Sequence, residues 1–563
     1  MVKKFISLIL MISLFSITGG MIGVSNASEQ RLPTPDTSWY NVNETSFTIY
    51  TAEQLAGLSV LVNSRIDFEG KVVTLGADID LSDFGVNFND GRGWISIGTG
   101  WGLNHLSSEN MPISIVNNGD LTSSYVSGMP PAEPQISFNG TFNGNYRSIT
   151  GLYINRSYVS DSEASGLFGR IRGGVVKNLS LVDVNVNGTT LVGGVAGELS
   201  GELYNVFVSG TISGVSFVGG LVGNLGSNGD SVIIASCFTG TINGNNNIGG
   251  LVGSIAIADI ENSYSIATIN GETNVGGLVG FVFSGNILNS YTVGEVNGET
   301  NVGGVAGEIG VDWNSIYFVS LFNVAALNSR VIGDANVGRI VGLNTNASVA
   351  MPSHPMNVNN LTTNYAFAKM TVIESDIDKT LNIGHDQIDG EDVSMEEALT
   401  ADFWLNADNW HGDGWCAEAW IIEDCKLPIL RNINDSQSGG DIAPPNPNEI
   451  TVTLNGERVD FDVSPIIIDN RTLVPFRAIF EALDMEVEWD NDTRTAIGEN
   501  DDVRIELPID STTAYINGED VTLDAPAMLH NERTMVPLRF IAEATGADVE
   551  WDEDTRTVVI SIN

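Results

Sequence analysis

Basic side chains are scarce in this chain. Lys and Arg number 25 against 70 Asp and Glu, a formal net charge of -45 over 563 residues. A surface of that sign repels nucleic-acid phosphates and anionic lipid, which argues against a nucleic-acid partner. The acidity reads as the solubilising coat of an exported protein, with diffuse Ca²⁺ binding as the alternative. No run has EF-hand spacing or a Gly-Gly-x-Gly-x-Asp pattern, so no ion site is assigned. Cysteine is also scarce, limited to Cys237, Cys416 and Cys425. Cys416 and Cys425 could pair in an oxidising compartment, whereas Cys237 sits in an apolar strand and reads as a buried, inert thiol. The five histidines (His105, His354, His385, His411 and His530) include no His-Glu-x-x-His pair of the kind a zinc peptidase needs. No Ser-His-Asp, Cys-His or phosphate-loop pattern stands out either. No catalytic, cofactor-binding or metal-ligating residue is therefore assigned, and no cofactor is expected.

Long apolar runs are limited to the N-terminus. Lys3 and Lys4 precede an apolar stretch, Phe5–Ile17, that is short for a membrane span, and Ser25-Asn26-Ala27 supplies small residues for cleavage after Ala27. Residues 1–27 read as a signal peptide. No transmembrane helix is expected after its removal, and no sortase-type Leu-Pro-x-Thr-Gly signal is seen. A secreted or surface-held protein is expected.

Glycine, by contrast, is abundant and periodic. Gly193-Gly194-Val195-Ala196-Gly197 returns as Gly219-Gly220-Leu221-Val222-Gly223, then at Gly249–Gly253, Gly276–Gly280 and Gly303–Gly307. The second glycines fall at 194, 220, 250, 277 and 304, so the steps are 26, 30, 27 and 27 residues. Degenerate copies stand at Gly166–Gly169 and Val337–Gly342. Between copies run alternating strands such as Ile260-Glu261-Asn262-Ser263-Tyr264-Ser265, and turn formers such as Asn270-Gly271-Glu272-Thr273-Asn274. Short strands and tight turns at this period predict a parallel β-helix, a solenoid in which each coil buries its apolar face on its neighbours. Rungs about 4.8 Å apart would make a rod about 30 Å long for seven coils. Glycine is expected where φ is positive or where backbones pass closely. The rod spans 166–342. A cap and irregular coils span 28–165, with a helix following Thr51 closing the first rung and an insertion at about 102–135. Residues 343–433 form a C-terminal cap region. There Trp404, Trp410, Trp415 and Trp420 read as a hydrophobic plug for the solenoid's end, with a carbohydrate-stacking platform as the alternative. Residues 434–449 read as a polar linker.

The last segment, 450–563, repeats internally. Arg471-Thr472-Leu473-Val474-Pro475 returns as Arg533-Thr534-Met535-Val536-Pro537, and Glu488-Trp489-Asp490 as Glu550-Trp551-Asp552, each at an offset of 62. Each proline is expected to open a helix at its first position, so the segment reads as a tandem α+β module. The fold class is mainly β, a solenoid rod followed by this small module.

Two resemblances follow from these residues. The Gly-Gly-Leu-Val-Gly units with their Asn-Ser-Tyr strands resemble the GLUG repeats of bacterial surface and secreted proteins, among them adhesins and immunoglobulin-A-cleaving metalloproteases whose chemistry lies in a separate domain. The Arg-Thr-Leu-Val-Pro, Trp-Asp and Thr-Arg-Thr elements of 450–563 resemble the N-terminal domain of copper amine oxidases, a stalk common as paired modules in exported Gram-positive proteins. That resemblance implies no copper, because the module holds one histidine, His530, read as a turn residue, and no cysteine. Together they imply a non-catalytic rod for adhesion or ligand contact, its partner a cell-wall or host glycan or protein. A polysaccharide lyase or glycosidase, with its site in 87–135 or 404–420, is the alternative.

Overall fold

The computed structural model describes residues 33–99, 136–156, 164–226, 231–310, 319–345, 360–433 (without 376, 413, 414, 417 and 432) and 450–561 (without 456, 460, 462, 464, 469, 470, 484, 491, 492, 501, 502, 524, 531, 532 and 553–556). The signal peptide, most of the insertion and the linker lie outside the described residues.

The chain from Ser46 winds into a stack of short parallel strands, a β-solenoid of about 9 turns. Equivalent residues stand in register from coil to coil. One column runs Phe168, Ala196, Val222, Val252, Val279, Ala306, Val341. A second, in a six-stranded sheet, runs Gly193, Gly219, Gly249, Gly276, Gly303, Gly338. The interior is a dry column of Val192, Val218, Ile248, Val275 and Val302 facing Leu221, Leu251 and Leu278, all fully buried. Each coil thus contributes a few aliphatic side chains that only its neighbours cover.

Glycine and asparagine divide the two backbone tasks that the sequence assigned to glycine alone. The signature glycines are there for close approach. A Cβ at Gly277 would stand 1.8 Å from the Gly304 carbonyl oxygen of the next coil and 2.5 Å from Thr292 Oγ1. Among the signature corners, positive φ falls instead on Leu191 and Phe217 (both 56°) and then Asn247, Asn274, Asn301 and Asn336 (57–59°), and at the wall bend on Asn178, Asn205, Asn262, Asn289 and Asn323 (47–55°), while the wall glycines Gly210, Gly240 and Gly294 take it at 113–146°. Asparagine enters this left-handed region more readily than most side chains. Its amide also reaches the next coil. Asn274 Nδ2 donates to Asn247 Oδ1 (2.9 Å), Asn301 to Asn274 and Asn336 to Asn301 (both 2.8 Å). The serine of Asn-Ser-Tyr builds a second ladder within the wall. Ser236 N donates to Ser263 Oγ (3.2 Å) and Ser263 N to Ser290 Oγ (3.1 Å), so buried amides at each bend are satisfied.

Both ends are closed. Thr51 Oγ1 accepts from Gln54 N and starts the helix Ala52–Asn63, which buries Leu55, Leu58, Leu61 and Val62 over the first coil. Its Asn63 Nδ2 donates to Ser96 O, and its Oδ1 accepts from Gly98 N and Thr99 N. At the far end Arg339 stands where earlier coils have their second glycine. The segment that covers this corner, 388–392, carries no glycine signature and accepts the large side chain. The buried guanidinium donates to Asp389 O (2.8 Å), Asp392 Oδ1 (2.7 Å), Gly390 O (3.2 Å) and Phe367 O (3.3 Å). That many acceptors offset the cost of burying the charge.

The C-terminal module forms a core of its own around Val474, Ile479, Phe480, Ile505, Val536, Ile541 and Ile560. Val474 pairs with Val536 across two antiparallel strands, Arg471–Pro475 and Arg533–Pro537. The pair lies 62 residues apart, so it marks a pseudo-two-fold axis between the halves. The halves also interlock, because Thr451–Leu454 at the start pairs in parallel with Thr557–Ser561 at the end. Pro475 and Pro537 are the last strand residues and N-caps of the helices Phe476–Ala482 and Leu538–Ala544, one position earlier than expected. His530 ends the strand Met528–His530 instead of sitting in a turn. Among the described residues, no helix is long and apolar enough to cross a membrane.

A defect in the asparagine column supplies a test. Ala235 occupies the slot between Asn205 and Asn262 at φ 48°, without an amide to offer its neighbours. Ala235→Asn relieves a left-handed alanine and restores a rung, so it should stabilise the chain by about 1 kcal/mol in urea unfolding. Gly277→Ala should destabilise it by about 1–3 kcal/mol, while Thr268→Ala on the exposed face should change little.

Candidate functional site

The segment after the last coil folds back along the rod. Ser394 and Thr400 cap two short helices, Met395–Ala398 and Ala401–Leu405. They deliver Trp404, Trp410, Trp415 and Trp420, all buried (0–4% exposed). These rings do not plug the end of the solenoid. They cover its side, because the wall presents outward tyrosines there. Ser265 faces the interior, where a Cβ on Gly250 would meet its Oγ at 2.3 Å, so its neighbour Tyr264 faces outward. Tyr264 stacks on Tyr291 one coil on (4.9 Å between centroids, 7° between planes). Trp420 packs on both, Trp404 and Trp415 on Tyr291, and Trp410 on Tyr365 of the last coil. Tyr291 hydroxyl donates to Pro428 O (2.7 Å), and Trp420 Nε1 to Asn262 Oδ1 (3.2 Å). Burial removes these tryptophans as an open stacking platform. Cys237 lies in the same sealed column, and burial pushes its thiol up to about 12. Cys416 and Cys425 are unbonded.

Beside this clasp, no described residue covers the next wall. Just before the asparagine bend, alternate residues of each coil face outward in two columns. The first runs Tyr204, Ile234, Glu261, Leu288, Phe322, and the second Glu202, Val232, Asp259, Asn286, Ser320. All but Ser320 are half-buried. Tyr204, Glu202 and Glu261 lie close enough that burial, a hydrogen bond to Glu202 and both carboxylate charges raise the Tyr204 phenol. Burial, with the Asp259 charge behind it, raises the Glu261 carboxyl. Asp259 Oδ1 accepts from Asn286 N (2.7 Å) and Nδ2 (2.8 Å), which fixes its orientation. At the far end His411 of the clasp stacks on Phe322 (5.6 Å, 21°), and its backbone exchanges hydrogen bonds with the Asn323 amide (2.7 and 2.9 Å). The clasp therefore forms one side of this face. Among the described residues, no group of three or more His, Cys, Asp or Glu could hold a metal ion.

The sequence reading placed no residue on this wall. The signal was available in the repeat phase. Tyr204, Ile234, Glu261, Leu288 and Phe322 each precede the left-handed bend residue of their coil, so aligning the repeats on that position puts them in one column. Of the expected loci, 100–135 lies outside the described residues, as do His105 and His354. His385 packs edge-on against Tyr365 (4.9 Å).

Ionising Glu261 is penalised in the folded chain. The stability tied to its neutral form is thus full below the ordinary carboxylate range and is lost as pH rises through that range to the raised value. Glu261→Gln should flatten that part of a melting-temperature-against-pH curve. Self-repulsion among surplus carboxylates should also make the melting temperature rise with added NaCl.

Comparison with known proteins places parts of the chain. A stretch of 104 residues is 35% identical to Halomucin of Haloquadratum walsbyi, covering 18% of this chain and 1% of that protein's length. Among solved structures, the chain is similar to a candidate immunoglobulin A1 protease from Bacteroides ovatus (TM-score 0.42, 19% identity, 69% of this chain and 92% of that one). It is also similar to an IgA1 protease (TM-score 0.37, 15% identity, 84% of this chain and 34% of that one). At these scores neither likeness bears on activity. Residues 453–560 match the family model of the copper amine oxidase N-terminal domain, and the C-terminal module is a domain of that description.

Proposed function

We propose that this is an exported, non-catalytic protein of the cell surface or medium, in which a GLUG-type rod contacts a glycan or protein and the C-terminal module serves as a stalk or wall-proximal attachment. The observation that carries the reading is a solenoid closed at both ends and sealed along one side, with a neighbouring wall that the described residues leave uncovered over several coils. A rod of this build presents residues at fixed spacing without needing a cleft. The acidic coat, the short leader-like N-terminus and the resemblance of the module to stalk domains of exported Gram-positive proteins support placement outside the cell.

Deleting 450–563 tests the attachment role. The shortened protein should shift from the cell-wall fraction to the medium, and unchanged partitioning would remove that role. One observation favours a second reading, a glycan-active solenoid. Glu261, with its raised carboxyl, stands beside Asp259, an arrangement that can separate an acid from an ionised partner. Incubating the full chain with wall and host polysaccharides while measuring new reducing ends decides between them. No turnover is expected, and turnover abolished by Glu261→Gln would establish the enzyme instead.

A further inference from the structure

The open wall beside the clasp has a chemistry of its own. Its outward columns repeat once per coil, about 4.8 Å apart, so four steps from Tyr204 to Phe322 span about 19 Å along the rod. A ligand that meets this wall at every coil must itself be a linear polymer with a short, regular repeat. Extended polysaccharides have a residue length close to one rung. The floor alternates apolar surface (Tyr204, Ile234, Leu288) with hydrogen-bonding groups (Glu202, Asp259, Glu261, Asn286), the mixture that sugar rings with apolar faces and polar edges require.

Charge narrows the class. No Lys or Arg occurs from 178 to 329, so nothing basic in those coils neutralises Asp259 and Glu261, whereas Lys177, in register with Tyr204, stands one coil from Glu202 at the near end of the wall. Asn286 orients Asp259 but leaves its charge in place. Glu261 meets the Asp259 charge along its own strand, and Tyr204 meets the charges of Glu202 and Glu261. A polymer of acidic sugars would be repelled, and a neutral one would leave half-buried carboxylates facing each other. A cation between Asp259 and Glu261 relieves that repulsion.

We propose that this wall, from Tyr204 to Phe322, binds a linear polysaccharide bearing free amines, laid along the rod with its amino groups against Asp259 and Glu261. The proposal rests on the adhesive reading above and assigns its ligand class. The clasp gives the polymer a side to lie against. His411 on Phe322 closes one end of the track, and Tyr204 supplies a ring face at the other.

Isothermal titration of the full chain with a short, fully deacetylated glucosamine oligomer tests this, with the N-acetylated oligomer and oligolysine as comparisons. Binding of the deacetylated oligomer is expected, weakened by salt and roughly tenfold tighter than binding of the other two. Asp259→Asn with Glu261→Gln should weaken it by roughly tenfold or more. Tyr204→Ala should weaken it too, whereas Thr268→Ala on the neighbouring face should leave it unchanged. Melting curves for each variant establish that it folds, and Tyr204→Ala reads the site independently if the double variant does not. Equal binding of the acetylated oligomer overturns the amine requirement, and equal binding of oligolysine overturns the polysaccharide. Binding of the deacetylated oligomer that these variants leave unchanged overturns the site while leaving the adhesive reading in place. Failure to bind it, in a protein that still binds other wall or host polysaccharides, overturns the ligand class alone. Failure in both assays overturns the adhesive reading as well.

Discussion

Adjacent coils of the rod touch backbone to backbone at the glycine corner, and the rest of the chain is arranged to keep that contact in register. The contact leaves no space for a Cβ at Gly250, Gly277 or Gly304, which would meet carbonyl oxygens of the following coil at 1.8–2.0 Å. Such tight stacking requires each coil to turn in the same place. The turn is set by residues held at positive φ, in most coils asparagines whose amides bond to the asparagine of a neighbouring coil. The wall serines then satisfy the amides that the bend would leave unpaired. Steric fit, conformational preference and hydrogen bonding thus select the same register. Arg339 shows the constraint from the other side, since a large residue takes the glycine's place only where the covering segment, 388–392, is no longer a glycine corner.

A stack of this kind exposes outward side chains along every wall, and the chain treats two neighbouring walls differently. Where Tyr264 and Tyr291 face out, tryptophans cover them, and the Cys237 thiol of the same column is kept from ionising. Where Tyr204, Glu202, Asp259 and Glu261 face out, nothing among the described residues closes the face. The contrast between a covered aromatic column and an open mixed one gives the rod a definite binding side.

Much of this was legible in the order of residues. The glycine period, the helix after Thr51, the burial of Cys237 and the 62-residue offset of the terminal module all follow from patterns that local physics produces. Three things were not. The exchange of roles between glycine and asparagine depends on how closely coils stack, which a single repeat does not reveal. The clasp could not be placed, because tryptophans destined for an end and tryptophans destined for a side have the same composition, and only the outward tyrosines decide between them. The open wall was hidden by its variability. Tyr204, Ile234, Glu261, Leu288 and Phe322 share a position and not a residue type, so their column emerges from register alone. The interlocked halves of the terminal module belong with these, since the pairing of Thr451–Leu454 with Thr557–Ser561 joins segments at opposite ends of the domain.

Hydrogen exchange along the full chain, followed by mass spectrometry, tests most directly whether glycine contacts and asparagine ladders lock the coils into one unit with the clasp docked on it. Amides from 189 to 309 and from 394 to 431 should exchange slowly and open together as a single cooperative block, while the terminal module exchanges on its own. Independent opening of single coils, or rapid exchange of the tryptophan segment while the coils stay protected, would contradict it.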